Sequence, residues 1–350
     1  MKLHRMQLPR EIVVGNETLD LIGKICKKLG FSKSALVVTG PYTQRIAGQK
    51  VTDILDDTGI NVDQLIVSSL TVKDVKTVEE KIRELKPQVV LGIGGGTKID
   101  VAKLGSARQE VPFISIPTTA SHDGIASSVV SLRGLNKPYS RVAQSPMAII
   151  ADTNVIIQAS HRFAASGCGD ALAKFTAVRD WKLAHNTKNE YYGEYAASLS
   201  LMGAKLVAEH ADIIQPDIEE GVRVLLEALI SCGVAMSIAG SSRPCSGSEH
   251  LFSHALDVIS PKPAMHGEQC GVGTIMMAYL HGLDWKYIKE TLERVGAPTT
   301  AEELGVEPEH VIKALTLACT IRPERYTILD EKKLSYEAAE KLARATGVIE

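Results

Sequence analysis

The stretch PQVVLGIGGGTKID, residues 87–100, decides how the rest of the chain reads. Val89, Val90 and Leu91 make an apolar run of the kind buried on both faces of a sheet. The turn from Gly92 to Gly96 then leads directly into Thr97-Lys98-Ile99-Asp100 and a helical pattern to about Ala107. A strand that ends in bare backbone and opens a helix suits a diphosphate, because unencumbered N–H groups and the positive end of a helix dipole meet there. The spacing departs from the usual dinucleotide fingerprint in two ways. Thr97 stands where the third glycine of Gly92-x-Gly94-x-x would fall, and the turn follows the third strand of the series rather than the first. The plain alternative is a tight strand-to-helix turn, with Asp100 a first-turn carboxylate that complements the dipole.

Outward from this stretch the same alternation continues. Ser34–Gly40 (SALVVTG) precedes a helical pattern from Thr43 to Asp57, and Gln64–Ser69 (QLIVSS) precedes another from Val72 to Leu85. Val111–Ile116 (VPFISI) and Met147–Ala151 (MAIIA) complete the series. Apolar runs alternating with helices predict an α/β half: a Rossmann-like parallel sheet with helices on both faces. From about Ser160 the strand pattern ends. Apolar residues recur at helical spacing over 170–185, 192–214, 221–239, 249–259, 268–281, 286–295, 308–319 and 335–346. This predicts an all-α second half. The division is set at 1–158 and 159–350, with the ligand in a cleft between the halves.

The whole-chain numbers narrow the class. At ~150 residues per domain, 350 residues allow roughly two. A chain 45% hydrophobic and 23% charged is neither disordered nor fibrous. Lys and Arg number 39 against 41 Asp and Glu, a net charge of -2, which excludes a broad nucleic-acid surface and leaves only a local basic pocket. No window approaches the ~18 uninterrupted apolar residues of a membrane helix, so no integral membrane segment is expected. The N-terminal MKLHRMQLPREIVVGN has no apolar signal-peptide core. Cysteines 26, 168, 232, 245, 270 and 319 form no C-x-x-C pair and read as free, mostly core thiols in a reducing cytoplasm. The 28 glycines beside 5% aromatics suggest backbone brought close to something.

Two further constellations bear on chemistry. Pro117-Thr118-Thr119-Ala120-Ser121-His122-Asp123-Gly124, followed by Ser127-Ser128, leaves the carboxyl end of a predicted parallel strand. Ligands bind at such ends, although a Ser/Thr-rich stretch by itself is only a loop. In the run from Glu249 to Asp257, helical geometry places His250, His254 and Asp257 on one stripe. His266, in PAMHGEQ (263–269), leads into the next helix, and an antiparallel connection would bring it beside His250. Asp170, in SGCGD (166–170) and read as the start of the first helix of this half, is the candidate third ligand. Two His and one Asp leave a coordination position open, as a catalytic metal site requires. A satisfied polar patch is the alternative. His4, His161, His185, His210, His281 and His310 read as ordinary.

GGGTKID (94–100), PTTASHDG (117–124), GCGD (167–170), SGSEHLFSH (246–254) and MHGEQ (265–269), in this order, closely resemble the archaeal sn-glycerol-1-phosphate dehydrogenases. These stand within the metal-dependent superfamily of glycerol dehydrogenases, iron-type alcohol dehydrogenases and dehydroquinate synthases. The resemblance covers nearly the whole chain and implies a dehydroquinate synthase-like fold. It implies NAD(H) or NADP(H) held by Gly94, Gly95, Gly96, Thr97, Lys98, Ile99 and Asp100, by Thr118, Thr119, Ala120 and Ser121, and by Ser127. It implies one zinc ion per chain on Asp170, His250 and His266, with Asp123, Asp170 and His254 as catalytic, substrate-touching residues. The implied reaction is reduction of dihydroxyacetone phosphate to sn-glycerol 1-phosphate, the backbone of archaeal ether phospholipids, by a cytoplasmic homo-oligomer. Iron-type members are similar but carry a further histidine four residues after the aspartate. Lys174 stands there, which favours the three-ligand site. Lys137, Arg141 and Arg162 are candidate cations for the substrate phosphate. The alternatives are a glycerol dehydrogenase acting on unphosphorylated glycerol or dihydroxyacetone, a dehydroquinate synthase with no net oxidation, and a non-catalytic nucleotide- and metal-binding sensor.

Overall fold

The structure, a computed structural model, describes residue 4 and residues 6–69, 71–132 and 139–350. Its strands are β1 (Glu11–Gly15), β2 (Ser34–Thr39), β3 (Asn61–Ile66), β4 (Val89–Gly94), β5 (Phe113–Pro117), β6 (Val129–Leu132), β7 (Tyr139–Val142) and β8 (Ala148–Asp152). Six of them form one parallel sheet in the order β1-β8-β5-β4-β2-β3, while β6 and β7 pair as a separate antiparallel hairpin. The alternation of a pleated strand sorts the core into two layers. Ala35 and Val37 of β2 pack with Ile22, Val51 and Leu55, whereas Leu36 and Val38 pack with Val75, Val78 and Ile82. The first layer is covered by α1 (Ile22–Lys28) and α2 (Gln49–Asp57), and the second by α3 (Val72–Leu85) and α4 (Gly96–Arg108). Both faces being buried explains why β4 and β8 read as continuous apolar runs.

Strand order explains the position of the glycine turn. The chain runs outward from β2 to β3 and then returns to pair β4 with the other side of β2. That reversal opens a crevice at the carboxyl ends of β2 and β4. The Gly94–Gly96 turn leaves β4 at the mouth of this crevice. It serves the same geometric purpose as a turn after the first strand.

Several elements differ from expectation, α1 and the β6–β7 hairpin among them, which no predicted run covers. β1 was not anticipated; it is a five-residue edge strand paired only with β8, so its residues are half-exposed and carry little apolar signal. β3 begins three residues earlier than the predicted run, because as the opposite edge strand it is only half-buried and its apolar residues do not mark its ends. The helical stretch 43–57 includes a π-turn, Gln44–Gly48, before α2.

The second half is helical: α5 (His161–Leu172), α6 (Lys174–Lys188), α7 (Glu194–Glu209), α8 (Glu219–Ala239), α9 (Ser248–Ile259), α10 (His266–Leu280), α11 (Trp285–Arg294), α12 (Pro308–Ile321) and α13 (Tyr336–Ala345). The predicted helix 170–185 is two helices meeting at Ala173. Asp170 therefore lies in the last turn of α5, not at a helix start. Helix α8 is long and apolar enough to cross a membrane by length and composition, but 78% of its apolar window is buried inside the fold. The layer under Leu36 and Val38 continues without a break into Leu225, Leu229, Leu251 and Met276, so sheet and helices share one core. All six cysteines are free, and five are buried.

Helices α5 and α10 cross at backbone contact. A Cβ added at Gly267 would lie 1.8 Å from the carbonyl oxygen of Ser166, an obstruction that no rotamer relieves. Gly267→Ala is accordingly expected to destabilise the protein by about 1–3 kcal/mol or more. Urea unfolding measures this, and an unchanged midpoint would contradict the crossing described.

Candidate functional site

A groove of about 760 Å³ joins the glycine turn to the histidine cluster. Its first end is built by the switch-point crevice. Gly94 turns the chain at φ 149°, a value that side-chain-bearing residues rarely adopt, and Gly95 caps the start of α4. Gly95, Gly96, Thr97, Lys98 and Asp100 line the groove, as do Thr119, Ser121 and Ser127. Gly94, Ile99, Thr118 and Ala120 do not. Ile99 is fully buried in the core, because its position in the first turn of α4 faces inward, and Thr118 donates its backbone N–H to Gly94 O at 3.0 Å. Lys98 spans the crevice to Ser68 O at 2.6 Å. Asp100 pairs with buried Lys103 at 3.1 Å, and Lys103 donates to Gly124 O at 2.7 Å, tying α4 to the loop after β5.

The other end is built from both halves. Asp170 Oδ2 accepts the Asp123 N–H at 2.8 Å, and Asp170 Oδ1 lies 2.6 Å from Lys174 Nζ. The same ammonium lies 2.8 Å from Asp123 Oδ2, so it is shared between the two carboxylates. Burial alone would push Asp170 up; Lys174 and His250 outweigh it and hold the carboxyl well below its usual range. Asp123, buried and beside the charge of Asp170, is raised instead. Lys174, fully buried between the two carboxylates, is held charged well above the ordinary lysine value despite the burial.

The imidazoles are aimed from behind. His250 Nδ1 lies 2.8 Å from Glu249 Oε1, and Glu249 is itself held by Thr176 Oγ1 at 2.7 Å and the Gly247 N–H at 2.7 Å. That leaves His250 Nε2 facing Asp170 Oδ1 at 3.6 Å. His266 Nδ1 lies 3.3 Å from Ser253 Oγ, and the His250 and His266 ring centroids are 5.0 Å apart. Burial and the neighbouring His250 push His266 well down. Burial penalises charged His250 too, but Cys270, Asp170 and Glu249 hold it well up. Nitrogen donors braced by a carboxylate and a hydroxyl, with a buried carboxylate alongside, fit a zinc-type ion.

Sequence reasoning missed one donor in this cluster. The Cys270 Sγ lies 3.6 Å from His266 Nε2, and the donor atoms of His250, His266 and Cys270 fall within 4.8 Å of one another. Its i, i+4 spacing from His266 was the available signal. Asp180 was missed as well, since mid-helix it reads as a surface charge. Buried, it accepts the Ser248 N–H and hydroxyl at 2.6 Å each and the Ile328 N–H at 2.7 Å, which fixes the start of α9. It also pairs with His281 at 3.0 Å.

Of the expected phosphate cations, only Arg162 has a described side chain. Arg162 is forked onto Glu268 at 2.5 and 2.8 Å, Lys137 lies outside the described residues, and Arg141 sits in β7 opposite Val130.

His254 lies beneath His266, with ring centroids 5.9 Å apart. Burial, aided by the charges of Arg322 and His250, lowers it from 6.5 to about 4. An unfolded chain binds that proton more tightly, so this contribution to stability is complete above pH 6.5 and disappears as the pH falls through about 4. The group accounts for roughly 3 kcal/mol of acid sensitivity. Urea unfolding of His254→Gln should show a flatter acid limb than wild type; matching limbs would remove this role.

Residues 13–160 match the family model for iron-containing alcohol dehydrogenase. The chain is 55% identical over 349 residues to the glycerol-1-phosphate dehydrogenase (NAD(P)+) of Thermococcus sibiricus, covering 100% of this chain and 99% of that one. It is 54% identical over 344 residues to the protein of the same name from Methanosarcina mazei, covering 98% and 96%. Among solved structures it resembles glycerol dehydrogenase from Schizosaccharomyces pombe, with a TM-score of 0.80 at 22% identity over 99% of this chain and 91% of that one. Full-length identity at this level leaves one assignment: the chain belongs to the glycerol-1-phosphate dehydrogenase family.

Proposed function

We propose that this protein reduces dihydroxyacetone phosphate to sn-glycerol 1-phosphate with NADH or NADPH, and that its metal is zinc, one ion per chain. The product is the glycerophosphate backbone of archaeal ether phospholipids. The observation that carries the reading is a single groove shared by the Gly95–Lys98 turn and by His250, His254 and His266. In this reading residues 1–158 hold the dinucleotide, residues 159–350 hold metal and substrate, and the enzyme is a cytoplasmic homo-oligomer.

When bound, the metal supplies a Lewis acid for the C2 carbonyl oxygen and the nicotinamide supplies the hydride. His250 and His266 offer Nε2 as ligands and Asp170 offers Oδ1. The start of α4 receives the cofactor diphosphate through its backbone N–H groups, with Thr119, Ser121 and Ser127 along the same wall. Lys174 keeps Asp170 charged and holds Asp123 against it, which sets Asp123 in the groove wall to meet a substrate hydroxyl. His254 acts as a neutral imidazole, since a group lowered to about 4 carries no proton near neutrality. Its Nδ1, which accepts no hydrogen bond, serves a substrate hydroxyl.

Asp170→Ala, His250→Ala and His266→Ala should each lower ketone reduction by at least about 100-fold while leaving the circular dichroism spectrum intact. Elemental analysis and removal by chelator test the zinc: full turnover by metal-free protein would end that part of the proposal. Assays with dihydroxyacetone phosphate and with glycerol, followed through the nicotinamide absorbance, test the reaction. Preference for glycerol, or turnover without an absorbance change, would replace it.

A further inference from the structure

NADH and NADPH differ by one phosphate, carried on the 2′ oxygen of the adenosine ribose. In parallel dinucleotide-binding sheets that oxygen is read at the end of the strand beside the glycine turn. A carboxylate there accepts the free hydroxyl, and a cation there accommodates the phosphate. Here the neighbouring strand is β2. Its last residue, Thr39, pairs in register with Ile93 of β4, so Gly40 and Gly94 leave the sheet side by side. Gly40 offers no side chain at this position, and Lys98 fills it. A Cβ on Gly40 would stand 2.6 Å from Lys98 Cε, and one on Gly94 would stand 2.8 Å from Lys98 Cγ. The lysine stem therefore lies across the ends of both strands. Its ammonium donates to Ser68 O at 2.6 Å, at the end of the groove that Thr43, Ser69 and Thr71 also line. An ammonium carries three N–H groups, so two remain. Among the described residues Lys98 forms no ion pair with a carboxylate. The charge of Asp74 reaches it, but Asp74 does not line the groove. Its Oδ2 is taken up at the start of α3 by the Ser69 hydroxyl at 2.9 Å and the Thr71 N–H at 3.2 Å. A half-buried ammonium ringed by hydroxyls, with no carboxylate in the lining, suits a phosphate and offers a free ribose hydroxyl no acidic acceptor.

We infer that Lys98 receives the 2′-phosphate of NADPH at the carboxyl end of β2 and makes NADPH the preferred hydride donor of this protein. The inference rests on the proposed dinucleotide site and decides between the two cofactors which that reading allows. Gly40 is the second determinant. Its backbone is ordinary extended chain, at φ -105° and ψ 168°, so a side chain there would meet the lysine stem rather than backbone strain.

The test compares kcat/KM for NADPH and for NADH in wild-type holoenzyme and in Lys98→Ala, with dihydroxyacetone phosphate saturating. Wild type should favour NADPH, and the NADPH-to-NADH ratio should fall at least about 10-fold in the variant, the worth of one charged hydrogen bond. Gly40→Asp, which sets a carboxylate in the space of the lysine stem, should lower the same ratio. A general loss of packing would slow both cofactors together and leave the ratio alone. Titration calorimetry gives a readout free of turnover, with adenosine 2′,5′-bisphosphate and adenosine 5′-monophosphate as probes. Wild type should bind the bisphosphate more tightly, and Lys98→Ala should bind the two alike. A ratio within about twofold of wild type in folded Lys98→Ala overturns the inference, as does a wild type that favours NADH. A bisphosphate preference that disappears in Lys98→Ala, in a holoenzyme that leaves dihydroxyacetone phosphate unreduced, keeps the inference and overturns the reaction instead.

Discussion

The ammonium of Lys174, out of reach of water and set between Asp123 and Asp170, is the interaction on which the site depends. Asp123 belongs to the loop that leaves β5 of the sheet, and Asp170 to the last turn of α5 in the helical half. Two buried carboxylates this close repel each other, and neither is stable in a dry interior without a cation. Lys174 supplies that cation from one helical turn beyond Asp170, and the Asp123 N–H bonded to Asp170 adds a second tie. The two halves therefore meet through charges that stay in place only while both are docked. The core that continues from β2 into α8 and α9 gives the docking its apolar driving force.

The same logic recurs around the histidines. The two rings offered to the metal are each held by a group behind them: Glu249 for His250, Ser253 for His266. Glu249 is in turn fixed by Thr176 of α6, and the start of α9 is fixed by Asp180 of α6. One helix thus supplies Lys174, Thr176 and Asp180, three polar side chains that are all buried. Buried polar side chains on a helix are expensive unless every one is satisfied. Here the partners are the loop after β5, α5 and α9, the elements that carry the candidate site.

Much of this was legible in the sequence because it rests on local periodicity. The alternation around β2, β4, β5 and β8 and the helical spacing after Ser160 are properties of neighbouring residues. The glycine turn and the stripe of His250 and His254 are equally local. Edge strands were harder to read: β1 and β3 are each paired on one side only, so burial stamps little pattern on them. The break at Ala173 was invisible because helical apolar spacing persists across it, and Asp170 was accordingly placed at the wrong end of its helix.

The sequence by itself determined the alternating sheet, the helical half, the turn that offers backbone to an anion and the residue types able to hold a metal. The tertiary structure decided what those residues face. Strand order, through the reversal at β2 and β4, set the glycine turn at a crevice even though it follows a late strand. Arg162, a candidate for a phosphate, was instead drawn to Glu268. Asp180 acquired its partners only when α6 docked, and Cys270 came within reach of His250 only when α10 did. Charge pairing and desolvation depend on distances between groups far apart in the chain, and only the folded backbone sets those distances.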